Sequence, residues 1–251
     1  VKEDELIETY RLLGAVGVNS DLLGMLDLLE EAGLLQDAIE MTKRRLGTPE
    51  RPTQGLSPNQ QRADLAYTAG AMAMAFERED QSESYMMLAL SFDPDHGWSN
   101  NDLGYMLIER GERIDEAERM LEAAARALPD QASIIDSLGW LRYKQGIYED
   151  RVDEQTNEVV TPGAISLLSR ANQLDQQRSN ATILLHLGDA LWRAEKKEQA
   201  IDAWLNAESM LRSRVRTLSA QSQANRNAID AASQELRTLR YRIQDAEAGG
   251  T

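Results

Sequence analysis

Side chains able to do chemistry are few and scattered. The two histidines are His96, in a Pro-Asp-His-Gly turn, and His186, immediately before Leu187-Gly188. Without a third ligand or a cysteine, neither composes a metal site, and both read as surface or packing residues. The chain has no cysteine, so it has neither a thiolate nucleophile nor a disulfide framework. Adjacent carboxylates such as Glu30-Glu31 and Asp115-Glu116 could in principle act as acid and base. Neighbouring helical residues, however, point about 100 degrees apart, so these pairs read as solvated faces. There is no glycine-rich phosphate loop and no serine-nucleophile motif. The expectation is a chain with no catalytic residues, no metal and no cofactor. Aromatic residues at helical spacing remain, Tyr105 and then Trp140 with Tyr143. They are costly to expose and favoured where one protein grips another.

The elements that position those rings follow from composition and punctuation. Abundant Ala, Leu, Glu, Gln and Arg with only 5% aromatic residues favours helix over strand, so the expected class is all-α. With 42 acidic and 27 basic side chains the formal net charge is -15, which repels phosphate backbones and anionic membranes. Nucleic acid is therefore not an expected partner. No apolar run approaches the roughly 18 residues of a membrane span, so direct membrane insertion of this segment is not expected either. The absence of cysteine leaves cytoplasm and periplasm equally open. The chain opens at Val1 with no signal-like segment, as expected of a processed or excised piece whose signal or anchor lies elsewhere.

All six prolines stand where a helix begins or a loop runs. Ser57-Pro58 and Thr161-Pro162 read as an N-cap followed by the first helical residue. Between these marks apolar residues recur at three and four, as in Leu103, Leu107 and Ile108, then Ala117, Leu121 and Ala124. The pattern predicts paired amphipathic helices of about 12 to 16 residues. Gly70 precedes Gly104 by 34 residues and Gly104 precedes Gly139 by 35, and Leu103-Gly104, Leu138-Gly139 and Leu187-Gly188 open similar phrases. Mid-helix glycine costs about 1 kcal/mol relative to alanine, so each implies close approach of a neighbouring helix. Ala117 and Ala200 are expected to meet them, with Leu121 and Trp204 filling the gap to the next hairpin. The first phrase, with Gly70, Ala89 and Pro94, is the weakest. It has Ala73 where Leu107 stands in the second, and Ser82 at the small apolar position.

From about Arg62 to Leu211 this pattern resembles the tetratricopeptide-repeat (TPR) family: Leu-Gly in a first helix, Ala and a bulky apolar residue in a second, Pro at the turn. The resemblance implies a right-handed α-α superhelix of helical hairpins over 58–211. Upstream, Gly33 and Ala38 with Leu22, Leu23, Leu26 and Leu29 mark divergent repeat-like helices within 1–47, and 48–57 reads as a linker. The third repeat departs from the pattern, because about thirteen residues near 150–162 are inserted in its turn. They read as a solvated mobile loop or, alternatively, a partner-contacting arm. After Trp204 a heptad series from Leu211 through Ile243 predicts one continuous helix over 212–247, locally basic through Arg212, Arg214, Arg216, Arg226, Arg237, Arg240 and Arg242. Three readings stand for it: a cap over the last repeat, self-association as a coiled coil, or a partner-docking helix. Its arginines could also clamp the acidic body.

In TPR proteins the first helix of each hairpin lines a concave groove. The resemblance puts Tyr67, Ala71 and Met74 on that face, then Asn101, Tyr105 and Ile108, then Asp136, Trp140, Tyr143 and Lys144, and finally Asp189, Trp192 and Arg193. The candidate partner-binding residues are Tyr67, Asn101, Tyr105, Asp136, Trp140, Tyr143, Lys144, Asp189 and Arg193. Packing between adjacent first helices is the competing role, above all for Trp192. The positions of a chaperone-type carboxylate clamp hold Tyr105, Trp140 and Asp189, which does not support such a clamp. Met72, Met74, Met86 and Met87 read as core filler or as a soft binding patch. The expected function is a non-catalytic scaffold or adaptor binding a peptide or protein segment, in the manner of bacterial TPR proteins. The alternative is a regulatory or assembly region of a larger enzyme or of a secretion or envelope complex.

Overall fold

The computed structural model describes residues 57–75, 78–175, 180–220 and 226–248. The helices expected over 1–47 and the linker before Ser57 lie outside the described residues. The chain divides after Ala127 into two compact units. In the first, α1 (Pro58–Ala75) pairs with α2 (Glu79–Phe92) and α3 (Gly97–Arg110) with α4 (Ile114–Ala127), α2 stacking on α3. In the second, α5 (Ala132–Lys144) pairs with α6 (Ala164–Leu174) and α7 (Ala181–Arg193) with α8 (Lys197–Ala220). There α6 packs on α7, and α9 (Arg226–Glu247) lies against α8.

Local chemistry sets the helix ends. Ser57 Oγ accepts from the Gln60 backbone N–H while Gln60 Oε1 accepts from the Ser57 N–H, a reciprocal cap with Pro58 at the first helical position. Asn180 caps α7 by accepting from the Thr182 N–H. Gly111 ends α3 at φ +70°, a left-handed conformation that costs glycine nothing. The helix expected from Pro162 begins instead at Ala164, and Thr161 belongs to a strand.

That strand is part of the thirteen-residue insertion, which forms a β-hairpin. Strands β1 (Arg151–Val152) and β2 (Val159–Thr161) pair antiparallel, Arg151 opposite Thr161 and Val152 opposite Val159, with a bulge between.

Each helical hairpin closes on its glycine. A Cβ built on Gly104 would lie 2.8 Å from Leu121 Cγ, on Gly139 2.8 Å from Leu168 Cγ, and on Gly188 2.3 Å from Trp204 Nε1. The residue facing the glycine is thus the bulky one four places after the small residue, and it packs inside its own hairpin. The expectation that Ala117 and Ala200 meet the glycines is corrected accordingly: Leu121 and Trp204 lie nearest, and the Ala117 carbonyl oxygen would stand 3.2 Å from a Cβ on Gly104. Ala117, Ala164 and Ala200 are fully buried one turn earlier, where a larger side chain would push the bulky residue off the glycine. The weak first repeat obeys the same rule: Ser82 is fully buried, and Met86 Cγ would lie 3.0 Å from a Cβ on Gly70.

The continuous helix expected over 212–247 is also corrected. Glu208 Oε1 accepts from Arg240 Nε at 2.7 Å and from Arg212 Nη2 at 2.6 Å. Residues 32 apart on one straight helix would lie about 48 Å apart, so α8 and α9 must be separate elements folded against each other. Ala232, Leu236, Leu239 and Ile243 are buried on the α9 side, the last three in one cluster with Trp204, Ala207 and Leu211. The heptad spacing is real, and its apolar stripe is satisfied within the chain.

Two consequences can be measured. Gly188→Ala gains about 1 kcal/mol of helix propensity but forces a methyl into the Trp204 indole, an overpacking cost of about 1 to 3 kcal/mol. A lower midpoint in chemical denaturation of the full chain is expected. An unchanged or raised midpoint would show that the indole yields freely. The second consequence concerns Glu208, whose carboxyl the Arg240 and Arg212 guanidiniums hold below the usual carboxylate range. A depressed folded-state value contributes stability above the unfolded pKa and loses it as pH falls through the folded value. Glu208→Gln should therefore lower Tm at neutral pH, and the difference from the parent chain should shrink as pH falls through the folded-state value.

Candidate functional site

The nine candidate residues fall into two groups, one in each unit. In the first unit α1 carries Tyr67 and α3 carries Asn101 and Tyr105. Tyr67 and Asn101 are buried, at 7% and 6% exposure, and meet at one carboxylate. The Tyr67 hydroxyl donates to Asp102 Oδ2 at 3.0 Å and Asn101 Nδ2 donates to Asp102 Oδ1 at 2.9 Å. Beside them His96 caps α3, its Nδ1 accepting from the Ser99 N–H, while its Nε2 sits 2.9 Å from Asp64 Oδ1. Tyr67 therefore ties α1 to α3, Asn101 is buried beside it with its amide on the next residue of its own helix, and Tyr105 is half-exposed.

The second unit brings its candidates closer together. Asp136, Trp140 and Tyr143 recur at four and three along α5, and His186, Asp189 and Arg193 at three and four along α7, so each set shares one helical face. The Trp140 ring stacks on His186 at 4.0 Å and 15° and on Tyr143 at 4.5 Å and 7°. Three near-parallel rings result, His186–Trp140–Tyr143, with Tyr148 tilted against the last at 5.9 Å. Asp136, 6% exposed, lies with Oδ1 3.0 Å from His186 Nδ1 and fixes that ring under Trp140. Lys144 Nζ stands 5.1 Å over Trp140, and Arg193 Nε donates to the Tyr148 hydroxyl at 3.3 Å. Trp192 packs against Trp204 at 5.4 Å, with Lys197 Nζ 3.9 Å over its ring.

Asp189 joins this face to the C-terminal helix. Its Oδ1 accepts from Trp204 Nε1 at 3.0 Å and from Arg242 Nη1. Burial pushes its carboxyl above the usual carboxylate range, against the opposing pull of Arg242 and the Trp204 N–H. Burial likewise raises the Tyr143 phenol, with the Asp189 charge adding to it. Tyr143, Asp189, Trp192 and Arg193 line an open pocket of about 250 Å³ together with Trp204 and with Arg242, Asp245 and Ala246 of α9.

Of the nine candidates, then, Trp140, Tyr143, Lys144, Asp189 and Arg193 converge, with Asp136 buried behind them. Their contribution is packing, charge and shape. The Asp136–His186 pair has the form of an oriented base, and the Trp140 ring stacks over its imidazole. Among the described residues no three metal-ligating side chains come together, and no helix is long and apolar enough to cross a membrane. Sequence reasoning left out His186, Tyr148 and Arg242. The signal for His186 is that it takes the place before Leu-Gly filled by Asp102 and Ser137 in the earlier phrases. Arg242 was visible only as one of several helix arginines.

No family model matches the chain. A TPR repeat-containing protein of Pseudomonas aeruginosa is 32% identical over 97 residues, which are 39% of this chain and 16% of that protein. The chain thus spans about a sixth of the length of the curated relative it matches. Among solved structures, a double mutant of MamA RS-1 is 17% identical at a TM-score of 0.49, covering 78% of this chain and 95% of that one. PilF of Pseudomonas aeruginosa is 15% identical at a TM-score of 0.49, covering 92% and 96%. The chain is built of α-helical hairpins, each closed by the same glycine contact at the same place in its phrase, and over 97 residues it is similar to a tetratricopeptide-repeat protein.

Proposed function

We propose that the chain is a non-catalytic scaffold that holds a peptide or protein segment against the first helices of its hairpins, the face of α5 and α7 being the principal anchor. One observation carries this reading: the Tyr143–Trp140–His186 ladder, with Lys144 and Arg193 at its margin, stands beside an open pocket. Stacked rings offer a large contact area at little entropy cost, because their rotamers are already fixed by each other. Lys144 and Arg193 are exposed and give a bound segment polar partners at its edges. A side chain with a polar end entering beside Tyr143 and Trp192 would find Asp189 and Arg242 in the same pocket lining. Asp136, Tyr67 and Asn101 then act through the residues they position, and Tyr105 is the contact residue of the first unit.

The test uses the full chain against a random peptide library, with the selected peptides measured by fluorescence anisotropy. Arg193→Glu reverses a charge at an exposed position and should shift thermal stability by no more than about 0.5 kcal/mol. It should nevertheless weaken the selected peptides at least tenfold, while Arg126→Glu on α4 leaves them unchanged. Trp140→Ala should lower affinity and Tm together, since its ring both faces the segment and packs α5 on α7. Peptides that bind Arg193→Glu and Trp140→Ala as tightly as the parent chain would remove this face from consideration.

A further inference from the structure

The insertion at 150–162 is a built element. Its root is tied in four places: Gly163 N–H donates to Asp150 Oδ1 at 2.7 Å, Ala164 N–H to the Ile147 carbonyl at 2.9 Å, Ile165 N–H to the Tyr148 carbonyl at 3.0 Å, and a Cβ on Gly163 would lie 2.4 Å from the Glu149 carbonyl carbon. Its tip is closed by Asp153, whose Oδ1 accepts from the Gln155 and Thr156 backbone N–H groups at 2.8 and 2.9 Å. Asn157 turns the chain at φ +57°, a conformation asparagine tolerates. The hairpin is therefore held in shape before anything touches it.

Nothing in this shape serves the core. Val152, Val159 and Val160 are 46%, 51% and 63% exposed, and they are half of the large apolar side chains standing in solvent among the described residues. Each strand pairs only with the other, so both outer edges are open. Exposed Glu154 and Glu158 and partly buried Asp153 share this stretch with a single guanidinium, that of Arg151. Solvation alone would not require three valines, and a stacking surface for the repeats would not require a two-stranded ribbon.

We propose that this hairpin is a docking site for an extended segment of another protein, one with alternating basic and apolar residues, which adds as a third strand. Backbone pairing along an edge supplies the affinity common to any extended chain, the valines receive the apolar side chains, and the carboxylates select the basic ones. Charge argues against a second copy as the occupant. Two hairpins meeting edge to edge would bring six carboxylates against two guanidiniums, and like charges across strands are destabilising. A basic segment reverses that sign. The site is independent of whatever lies against Trp140, and either proposal can fail without the other.

The experiment uses the full chain and two acetylated, amidated peptides, one alternating lysine with valine and one alternating glutamate with valine. Binding is measured by titration at low and at physiological salt, and backbone amide exchange is read across 151–161. The lysine peptide should bind, weaken as salt rises, and protect hairpin amides, while the glutamate peptide does neither. Combining Glu154→Lys with Glu158→Lys, both exposed and outside the turn bonds of Asp153, should weaken the lysine peptide at least tenfold and admit the glutamate peptide. Val159→Ser with Val160→Ser should weaken binding without altering Tm. Equal binding of both peptides by parent and charge-reversed chains, protection that falls outside 151–161, or a concentration-dependent dimer that protects the hairpin without peptide would each overturn the proposal.

Discussion

A helix that gives up a side chain at its centre forfeits about 1 kcal/mol of propensity, and each hairpin here does so at the point where its second helix crosses. The return is distance. With no Cβ on Gly104, Gly139 or Gly188, the facing Leu121, Leu168 or Trp204 lies directly on the first-helix backbone. The small residue one turn earlier, Ala117, Ala164 or Ala200, is fully buried and leaves room for that descent. Helix spacing, and with it the direction in which the rest of the first helix points, follows from this one contact. Close packing leaves little slack for a methyl at such a position.

The candidate face inherits its geometry from that contact. Trp204 lies over Gly188 and delivers its N–H to Asp189, the next residue. A buried indole needs a hydrogen-bond acceptor, and a partly buried carboxylate needs donors, so each resolves the cost of the other. Arg242 completes the arrangement from α9 with its guanidinium 5.7 Å over the Trp204 ring. The helix that covers the apolar edge of the last repeat therefore also supplies one wall of the open pocket. Capping and site construction are the same set of bonds.

Fold class, hairpin register and the position of the insertion were legible because they rest on local signals: a glycine every repeat, a small residue about a turn past the loop, prolines at helix starts. What was hidden depends on residues far apart in the chain. Tyr67 and Asn101 looked like face residues, yet both are buried, Tyr67 reaching from α1 to the Asp102 carboxylate on α3 and Asn101 donating to the same carboxylate. Asp136 is buried because His186, fifty residues on, fits beneath Trp140. The β-hairpin escaped notice because strands of two and three residues with a bulge carry no alternation to detect. The separation of α8 from α9 was equally invisible, since no glycine or proline marks it. The polar residues at Ser222 and Asn225 were the only hint, and long-range pairing of Glu208 with Arg240 made the decision.

The two proposed surfaces of the second unit differ in charge. The protein as a whole carries a formal charge of -15, yet three of its four tryptophans each hold a cation of the chain's own over the ring: Lys144 on Trp140, Lys197 on Trp192 and Arg242 on Trp204. Those contacts keep basic side chains on the α5 and α7 face, where Asp189 and the Asp136–His186 pair balance them. That face carries charges of both signs around its rings, and ring area and shape act there only in contact. The hairpin has the opposite character: little area, open edges and uncompensated carboxylates, which act over about a Debye length. An acidic rim attracts a basic chain at long range but cannot hold it strongly, whereas an aromatic face of mixed charge holds what it touches. Placing Tyr148 at the root of the hairpin, against Tyr143 and bonded to Arg193, sets the two surfaces side by side on one rigid support.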